Sequence, residues 1–415
     1  MSPNLRIAFR FLTAKKRAML MSLSCTVLGV GLFIVTQATT SGFEEFFVKT
    51  ILGSDGALLI EDKIQDTQRS LGTGGASDFK FRTAEGVKYI EGIESPERIR
   101  DTVERFENVI AASIVVKGTV QMTSSFKTEQ AQLYGIDLDQ HLRVSNLAQH
   151  IVAGSLDEFD SPSAVLVGRV LADRLQLSVG NGFVIRVGTG EARRYKVAAI
   201  YETGIRDIDK LRIYMSLTGA RSLMRKASGA SFIQVALRDA HRAPEDALHM
   251  QGVLGHSVKP WQERQREWLQ AFRALKISSA ITVTVFTLIA SLAMFNTLAM
   301  IVMEKTKDIA ILRSMGYERR DITQIFLWQA GIVLVIGAVM GTLFGVGGTW
   351  AVEQVPLPIS TLFKTSHFLV SWSGMKYFIP QAISTALVMV MIASLIPARR
   401  AARLEPGDIV RGTAQ

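Results

Sequence analysis

Charged side chains are absent from four long stretches of the chain, residues 18–43, 277–303, 322–352 and 377–398. A bilayer is crossed by about 20 apolar residues. A backbone outside water must satisfy its own hydrogen bonds, so each stretch is predicted to be a membrane-spanning helix. The alternative is a large soluble protein with four buried helices, which we disfavour because core helices are rarely this long without a charge.

Cysteine and the common catalytic motifs are also scarce or missing. Cys25, in the first charge-free stretch, is the only cysteine, so no disulfide can form within the chain. The six histidines are scattered, and no HExxH, CxxC, GxSxG or GxxxxGK(S/T) pattern occurs. We therefore expect no catalytic centre, no metal and no cofactor in this chain.

The basic excess of the chain lies at its two ends. The net charge is +10, and residues 1–17 carry five basic side chains and no acid. Residues 44–276 are nearly neutral, with 31 basic and 30 acidic side chains. The positive-inside rule predicts that both termini and residues 304–321 are cytoplasmic and that residues 44–276 lie outside. The charge is interpreted as membrane topology and not as a nucleic-acid-binding surface.

The remaining segments are assigned from their composition. Residues 1–17 mix apolar and basic side chains, which predicts a short interfacial helix, with a plain basic flank as the alternative. Residues 65–80 are polar and rich in glycine, which predicts a mobile loop. The predicted organisation is an interfacial helix at 1–17, a first span at 18–43, an outer domain with a helical stalk at 44–276, a second span at 277–303, a cytoplasmic helix at 304–321, a third span at 322–352, a short outer loop at 353–376, a fourth span at 377–398 and a cytoplasmic tail at 399–415.

Strand-like and helix-like stretches alternate in the outer domain. Turn signals and capping residues predict helices at 95–107, 169–175, 217–225 and 244–254. β-branched and aromatic runs predict strands at 109–120, 131–136, 164–167, 183–187, 196–201, 212–216 and 232–237. The predicted fold class is a membrane α-helical protein with four transmembrane helices and a large α+β extracytoplasmic domain, in two lobes.

Two further features of the outer domain lead to expectations that a structure can test. Residues 261–276 are predicted to form one helix that enters the second span. Trp261, Trp268, Phe272 and Leu275 are expected on one face of it. The dense charges around Asp207 and Asp209 are interpreted as a solvated turn before a strand, and a partner-contact loop is the alternative.

A charge-bearing segment, EKTKDIAILRSMGYERRDI at 304–322, separates the second and third spans. Its apolar and charged residues are interleaved as in an amphipathic helix, and Gly316 is a plausible helix end. A short helix tied to two spans can transmit a push from an external motor; the alternative is an inert loop helix. The residues predicted to transmit that push are Lys305, Asp308, Ile309, Ile311, Leu312, Arg313 and Gly316.

The third span carries a stripe of glycines, Gly337, Gly341 and Gly345. Small residues at this spacing allow another helix to approach closely in lipid. We predict a helix-packing face, either between subunits or within the chain. Asn296 and Gln329, also inside spans, are predicted to make hydrogen bonds between helices.

Four stretches of the chain resemble the FtsX/MacB superfamily of ABC transporter permeases. The strongest resemblance covers 271–329, and the others are IPARRAARLEPGDIVRG at 396–412, ILGSDGALLI at 51–60 and VLVGRVLADRLQLSVGNGFVIRV at 165–187. Within the superfamily the chain is most similar to the transmembrane subunits of lipoprotein-releasing (Lol) systems. The resemblance implies that the outer domain is of the MacB periplasmic-core type.

The resemblance implies a non-catalytic subunit, in a bacterial inner membrane, that is driven by a partner. A cytoplasmic ABC ATPase dimer would bind ATP and Mg and grip two permeases, identical or sister chains, through the helix at 305–316. The cargo would be a lipoprotein, passed from the membrane lipid to a periplasmic carrier. An apolar cavity for its acyl chains is predicted to include Phe43, Phe47, Ile51, Phe272 and Phe295.

Two other functions remain open at this point. One is export of amphiphiles or peptides through a periplasmic adaptor, as in MacB-like pumps. The other is mechanical activation of a cell-wall hydrolase without transport, as in FtsX.

Overall fold

The computed structural model describes residues 3–14, 16–62, 92–226, 228–356 and 368–403. The chain forms two compact units. The helical unit comprises Met1–Glu45, Gln270–Leu357 and Ser366–Gln415, and the sheet unit comprises Phe46–Leu269 and Pro358–Thr365. The loop predicted at 65–80 lies outside the described residues, as do parts of the loop and tail predicted at 353–376 and 399–415.

The elements are numbered in chain order. The helices are α1 (Pro3–Ala14), α2 (Lys16–Asp55), α3 (Pro96–Val103), α4 (Leu138–Val144), α5 (Arg169–Leu175), α6 (Arg206–Leu211), α7 (Leu217–Leu223), α8 (Ala243–Leu254), α9 (Trp261–Arg264), α10 (Arg266–Glu304), α11 (Thr306–Ser314), α12 (Arg319–Glu353) and α13 (Met375–Ala402). The strands are β1 (Leu58–Glu61), β2 (Val109–Thr123), β3 (Thr128–Ile136), β4 (Ile151–Gly154), β5 (Ala164–Gly168), β6 (Gly182–Arg186), β7 (Arg193–Tyr201), β8 (Arg212–Ser216), β9 (Phe232–Leu237) and β10 (Ser257–Pro260).

Within the described residues, four helices are long and apolar enough to cross a membrane: α2, α10, α12 and α13. Each contains one of the charge-free stretches, so the four predicted spans are confirmed. Their inward side chains, among them Ile34, Leu298 and Phe326, form one apolar core. Large apolar side chains such as Ile281 and Leu343 remain exposed on the outward faces, because a lipid-facing surface has no need of polar groups.

The sheet unit is built on one mixed sheet of ten strands. The strand order is β10-β1-β9-β2-β3-β8-β5-β7-β4, and β6 pairs with β2 and β7. The pairs β3–β8 and β5–β7 are parallel. Two separate apolar clusters pack on the sheet, one beneath α5 and α7 and the other beneath α3 and α8. The two predicted lobes are thus two cores that share one continuous sheet.

All seven predicted strands of the outer domain are present, with β2, β3 and β7 each three residues longer than predicted. The helix predicted at 95–107 ends at Val103. Phe106 donates its N–H to the carbonyl of Val103 (3.1 Å), and this turn reverses the chain before β2. The sequence pattern missed α4, β4 and β10, which are short and have little apolar periodicity of their own.

The single helix predicted at 261–276 is wrong, because α9 and α10 are interrupted at Gln265. The interruption changes the helical phase. Trp261 is buried, whereas Leu275 is exposed and Trp268 is more than one-third exposed, so they do not share a face.

The solvated turn expected at Asp207 and Asp209 is also wrong, since this segment is helix α6. Asp209 is only 2% exposed. Its carboxylate accepts hydrogen bonds from Thr203 N (2.9 Å), Thr203 Oγ1 (2.8 Å) and Gly204 N (3.3 Å). These bonds tie the helix to the preceding loop. Burial raises the pKa of Asp209 to about 6.

Candidate functional site

Helix α11 divides its apolar residues between two environments. Ile309 and Ala310 are buried at 1% and 9% exposure, and Ile309 belongs to the core of the helical unit. Leu312 packs partly against the same core. Ile311 and Met315 point outward, at 58% and 72% exposure. One face therefore anchors the helix to the spans, and the other leaves two apolar side chains exposed.

Both ends of α11 are defined by local hydrogen bonds. At the N-terminus, Lys305 Nζ lies 2.8 Å from Asp308 Oδ2. At the C-terminus, Gly316 adopts φ +97°, a left-handed conformation that favours glycine, and its N–H donates to the carbonyl of Arg313 (3.2 Å). Arg313 Nη1 in turn donates to the carbonyl of Tyr317 (3.5 Å). The helix ends where the sequence predicted.

The start of α12 follows α11 after a short turn and is also fixed. Glu318 and Asp321 form a reciprocal capping box. Asn4 of α1 donates from Nδ2 to Asp321 Oδ1 (3.3 Å) and to Gln324 Oε1 (3.2 Å). Gln329 is fully buried and donates from Nε2 to the carbonyl of Ala8 (3.5 Å). Helix α1 thus makes hydrogen bonds to α12, the helix that follows α11. The interhelical bond predicted for Gln329 is present, whereas Asn296 is exposed.

The glycine stripe of α12 packs against α2 of the same chain. A β-carbon added at Gly337 would lie 2.8 Å from Thr26 Cγ2, and one at Gly341 would lie 2.8 Å from Val30 Cβ. At Gly345 it would lie 2.9 Å from Ile34 Cβ. Of the two interfaces left open by the sequence, the structure places these glycines in the one within the chain.

The five residues predicted to line an acyl-chain cavity are divided between the two units. Phe47 and Ile51 line a cavity of about 240 Å³ in the sheet unit, and the Phe47 ring lies 5.2 Å from that of Trp268. Its other apolar lining residues are Ile205, Ile208 and Leu211.

The other three belong to the helical unit. The Phe43 ring meets Phe368 edge-to-face at 6.2 Å. Phe272 is buried, and Phe295 is half-buried.

A buried polar cluster in the sheet unit was not predicted. Arg212, the first residue of β8, places Nη1 2.7 Å from Asp55 Oδ1 and 3.2 Å from Tyr214 Oη. Its guanidinium lies 4.3 Å from the ring centre of Tyr134. Tyr201 donates its hydroxyl to the Arg212 carbonyl (2.8 Å). One feature of the sequence could have located this cluster, because Arg212 is the only charged residue in the strand RIYMS.

Electrostatics in this cluster follow from burial. Burial acts to lower the pKa of Arg212, but the charge and hydrogen bond of Asp55, together with Tyr134 and Tyr214, hold that pKa well above its usual range. Burial raises the pKa of Tyr214 to about 12. Burial, together with the charge of Arg212, lowers the pKa of His141 to about 3, so the imidazole is neutral. Its Nδ1 lies 3.3 Å from Ser113 Oγ.

Among the described residues, no group of three His, Cys, Asp or Glu side chains is placed to hold a metal ion. The features above instead define a class of protein. Four membrane-length helices, a short helix anchored between two of them, and a large mixed-sheet unit inserted after the first span are those of a membrane permease.

Comparison with known proteins identifies the family. Residues 19–247 match the MacB-like periplasmic core domain, and residues 280–406 match the FtsX-like permease C-terminal domain. The chain belongs to this family of FtsX-like ABC transporter permeases with a MacB-like periplasmic core. The resemblance and the fold class expected from the sequence are thereby confirmed.

Similar proteins include members of two named systems. The lipoprotein-releasing system transmembrane protein LolC of Xylella fastidiosa strain Temecula1 is 25% identical over 98% of each chain. LolC of Neisseria meningitidis serogroup B is 24% identical over 78% of this chain and 84% of that protein. The macrolide export ATP-binding/permease protein MacB of Acinetobacter baylyi is 25% identical over 54% of this chain but only 33% of that protein. Among solved structures, the periplasmic region of MacB from Actinobacillus actinomycetemcomitans is similar over 53% of this chain and 94% of that structure. The sequence identity is 12% and the TM-score is 0.33.

Proposed function

We propose that this chain is the permease subunit of an ABC complex that releases lipoproteins from the bacterial inner membrane. The observation that carries the proposal is the similarity to LolC, which extends over 98% of both chains. Similarity to MacB covers only a third of that protein. A lipoprotein-releasing function therefore accounts for the whole length of this chain.

ATP hydrolysis is assigned to a separate cytoplasmic subunit. Helix α11 is the contact for that subunit, because Ile311 and Met315 expose apolar surface beside Lys305, Asp308 and Arg313. Ile309 and Leu312 have the complementary role of anchoring the helix to the spans. A push on α11 is passed to α10 and α12, which it joins with only short turns. In this proposal ATP and Mg are bound by the partner, and both termini of this chain are cytoplasmic.

The complex contains two permease chains, identical or sister, above an ATPase dimer. The acyl chains of the cargo require apolar surface, and the cavity around Phe47, Ile51 and Trp268 offers it in the sheet unit. In the helical unit, Phe43, Phe272 and Phe295 are the proposed contacts. A periplasmic carrier receives the released lipoprotein.

Reconstitution of the complex tests the proposal. The chain and its ATPase subunit are placed in liposomes with a fluorescent triacylated lipoprotein, and a soluble acceptor is added outside. We expect release to the acceptor that requires ATP, and none with a hydrolysis-deficient ATPase.

The same preparation tests the other candidate functions. Transport of a small amphiphile or peptide without lipoprotein release would favour a MacB-like exporter. ATPase activity stimulated only by a cell-wall hydrolase would favour an FtsX-like role. Either result would contradict lipoprotein release.

A further inference from the structure

The last residue of helix α2 is fixed to the middle of the sheet by a buried ion pair. Asp55 ends the helix, and its side chain is 15% exposed. Arg212 begins β8, and its side chain is 9% exposed. The two are far apart in sequence, yet Arg212 Nη1 and Asp55 Oδ1 are 2.7 Å apart. The end of α2 is therefore attached directly to a central strand.

The short helix α9, which precedes α10 with only Gln265 between them, is attached to the same point. Arg264, at the end of α9, donates from Nη2 to the carbonyl of Gly56 (2.8 Å), the residue after Asp55. Trp261 donates its backbone N–H to the carbonyl of Ala57 (2.9 Å). Burial lowers the pKa of Arg264, and the nearby charge of Asp55 acts against this shift. The end of α2 and the short helix that leads into α10 are thus tied together within a few residues.

A buried ion pair is a poor way to obtain stability alone. Removing two charges from water is costly, and well-packed apolar residues at such positions are often as stabilising. The planar guanidinium, however, fixes geometry, because its donors reach Asp55 and Tyr214 while its face lies on the Tyr134 ring. The arrangement is suited to holding two elements in one relative orientation.

We propose that Asp55, Arg212 and Arg264 are positioning residues, which pass movement of α2 and α10 into the sheet. The inference rests on the proposed function, in which the spans move when the partner hydrolyses ATP. It names the point of attachment through which that movement reaches the sheet unit. Asp55 and Arg212 also line the cavity around Phe47 and Ile51, so a readout that needs no cargo is required to separate positioning from cargo contact.

The test uses the reconstituted complex of chain and ATPase subunit. Asp55→Asn and Arg212→Gln are combined, because the double variant removes both charges of the pair, so that neither is left buried without the other. The readout is lipoprotein released per ATP hydrolysed. We expect that ratio to fall at least fivefold in the double variant while ATP hydrolysis persists. In Arg212→Lys, which keeps the positive charge, we expect a smaller fall.

The matched control neutralises another ion pair of the same sheet. Lys259 Nζ lies 3.6 Å from Glu61 Oε2, between β10 and β1. In Glu61→Gln combined with Lys259→Gln, the ratio is expected to stay within twofold of wild type. If the Asp55 and Arg212 double variant also stays within twofold, or loses release and hydrolysis in equal proportion, the pair is only structural and the inference is overturned.

A second readout separates this inference from the proposed function. Spin labels are attached at Phe126 of the sheet unit and Tyr377 of the helical unit, which are 74% and 67% exposed, in a Cys25→Ser background. Labelled chain is diluted with unlabelled chain. We expect a nucleotide-dependent distance change in wild type and in the Glu61 and Lys259 control, but not in the Asp55 and Arg212 variant. This result holds even if the cargo is not a lipoprotein, whereas an unchanged response in the variant contradicts the inference.

Discussion

Replacing Gly341 by alanine tests the packing between α12 and α2. The added β-carbon would lie 2.8 Å from Val30 Cβ and 3.1 Å from the carbonyl oxygen of Val27. Carbon atoms prefer a separation of about 3.5–4.0 Å, so the two helices must part by about 1 Å. Overpacking of this kind costs about 1–3 kcal/mol. Leucine at this position is expected to cost more, because its branches extend into Val30.

The same helix supplies the matched control. A β-carbon at Gly347 meets nothing within 4 Å, so Gly347→Ala adds helix propensity without a clash. Thermal unfolding of the purified chain in detergent, followed by tryptophan fluorescence, compares the two. We expect a lower midpoint for Gly341→Ala and an unchanged or higher one for Gly347→Ala. Equal midpoints would refute the close contact between the helices.

Three further predictions concern the C-terminal end of α11, its buried and exposed isoleucines, and the buried His141. Gly316→Ala places an alanine at φ +97° in open space, so we expect a cost of about 1–2 kcal/mol from backbone strain alone, seen as a lower thermal midpoint. Ile309→Ala leaves a core cavity and is expected to cost about 2–5 kcal/mol, whereas Ile311→Ala is expected to leave the midpoint almost unchanged because its side chain is 58% exposed. His141 has a pKa of about 3 in the folded chain and about 6.5 in the unfolded chain, so the folded state loses stability as the pH falls below about 6.5. From pH 8 to pH 5 wild type is expected to lose about 2 kcal/mol more than His141→Phe. Melting curves of the two proteins over this pH range would measure the difference.

Features that depend on local sequence were predicted well. Charge-free length alone located the four spans, and apolar alternation located strands such as β8 and β9. The end of α11 at Gly316 followed from the conformational freedom of glycine, which adopts φ +97° there. In each case the signal lies within about one element of sequence.

Features that depend on distant contacts were not predicted. Asp55 and Arg212 are far apart in sequence and meet only in the folded sheet unit, and no local pattern encodes that contact. The sequence predicted a solvated Asp209, because its burial depends on hydrogen bonds from the backbone of Thr203 and Gly204 and from the Thr203 hydroxyl, which no local pattern reveals. The glycine stripe indicated close packing, but its partner helix lies far away in sequence and no local pattern names it.

The division of α11 was also beyond the sequence. Ile309 and Ile311 are two residues apart and equally apolar, yet one is buried and the other exposed. Which face of a short helix meets the spans depends on how those spans pack, and only the structure supplies that arrangement.

The role of Ile311 as a contact for the ATPase subunit is tested by comparing the affinities of wild type and Ile311→Asp for that subunit. Leu248→Asp is the control, because Leu248 is also an exposed apolar residue, at 74%, but lies in the sheet unit. For Ile311→Asp we expect at least a tenfold loss of affinity and loss of ATP-dependent release, with an unchanged thermal midpoint. We expect no effect of Leu248→Asp. Wild-type affinity and release in Ile311→Asp would contradict that role.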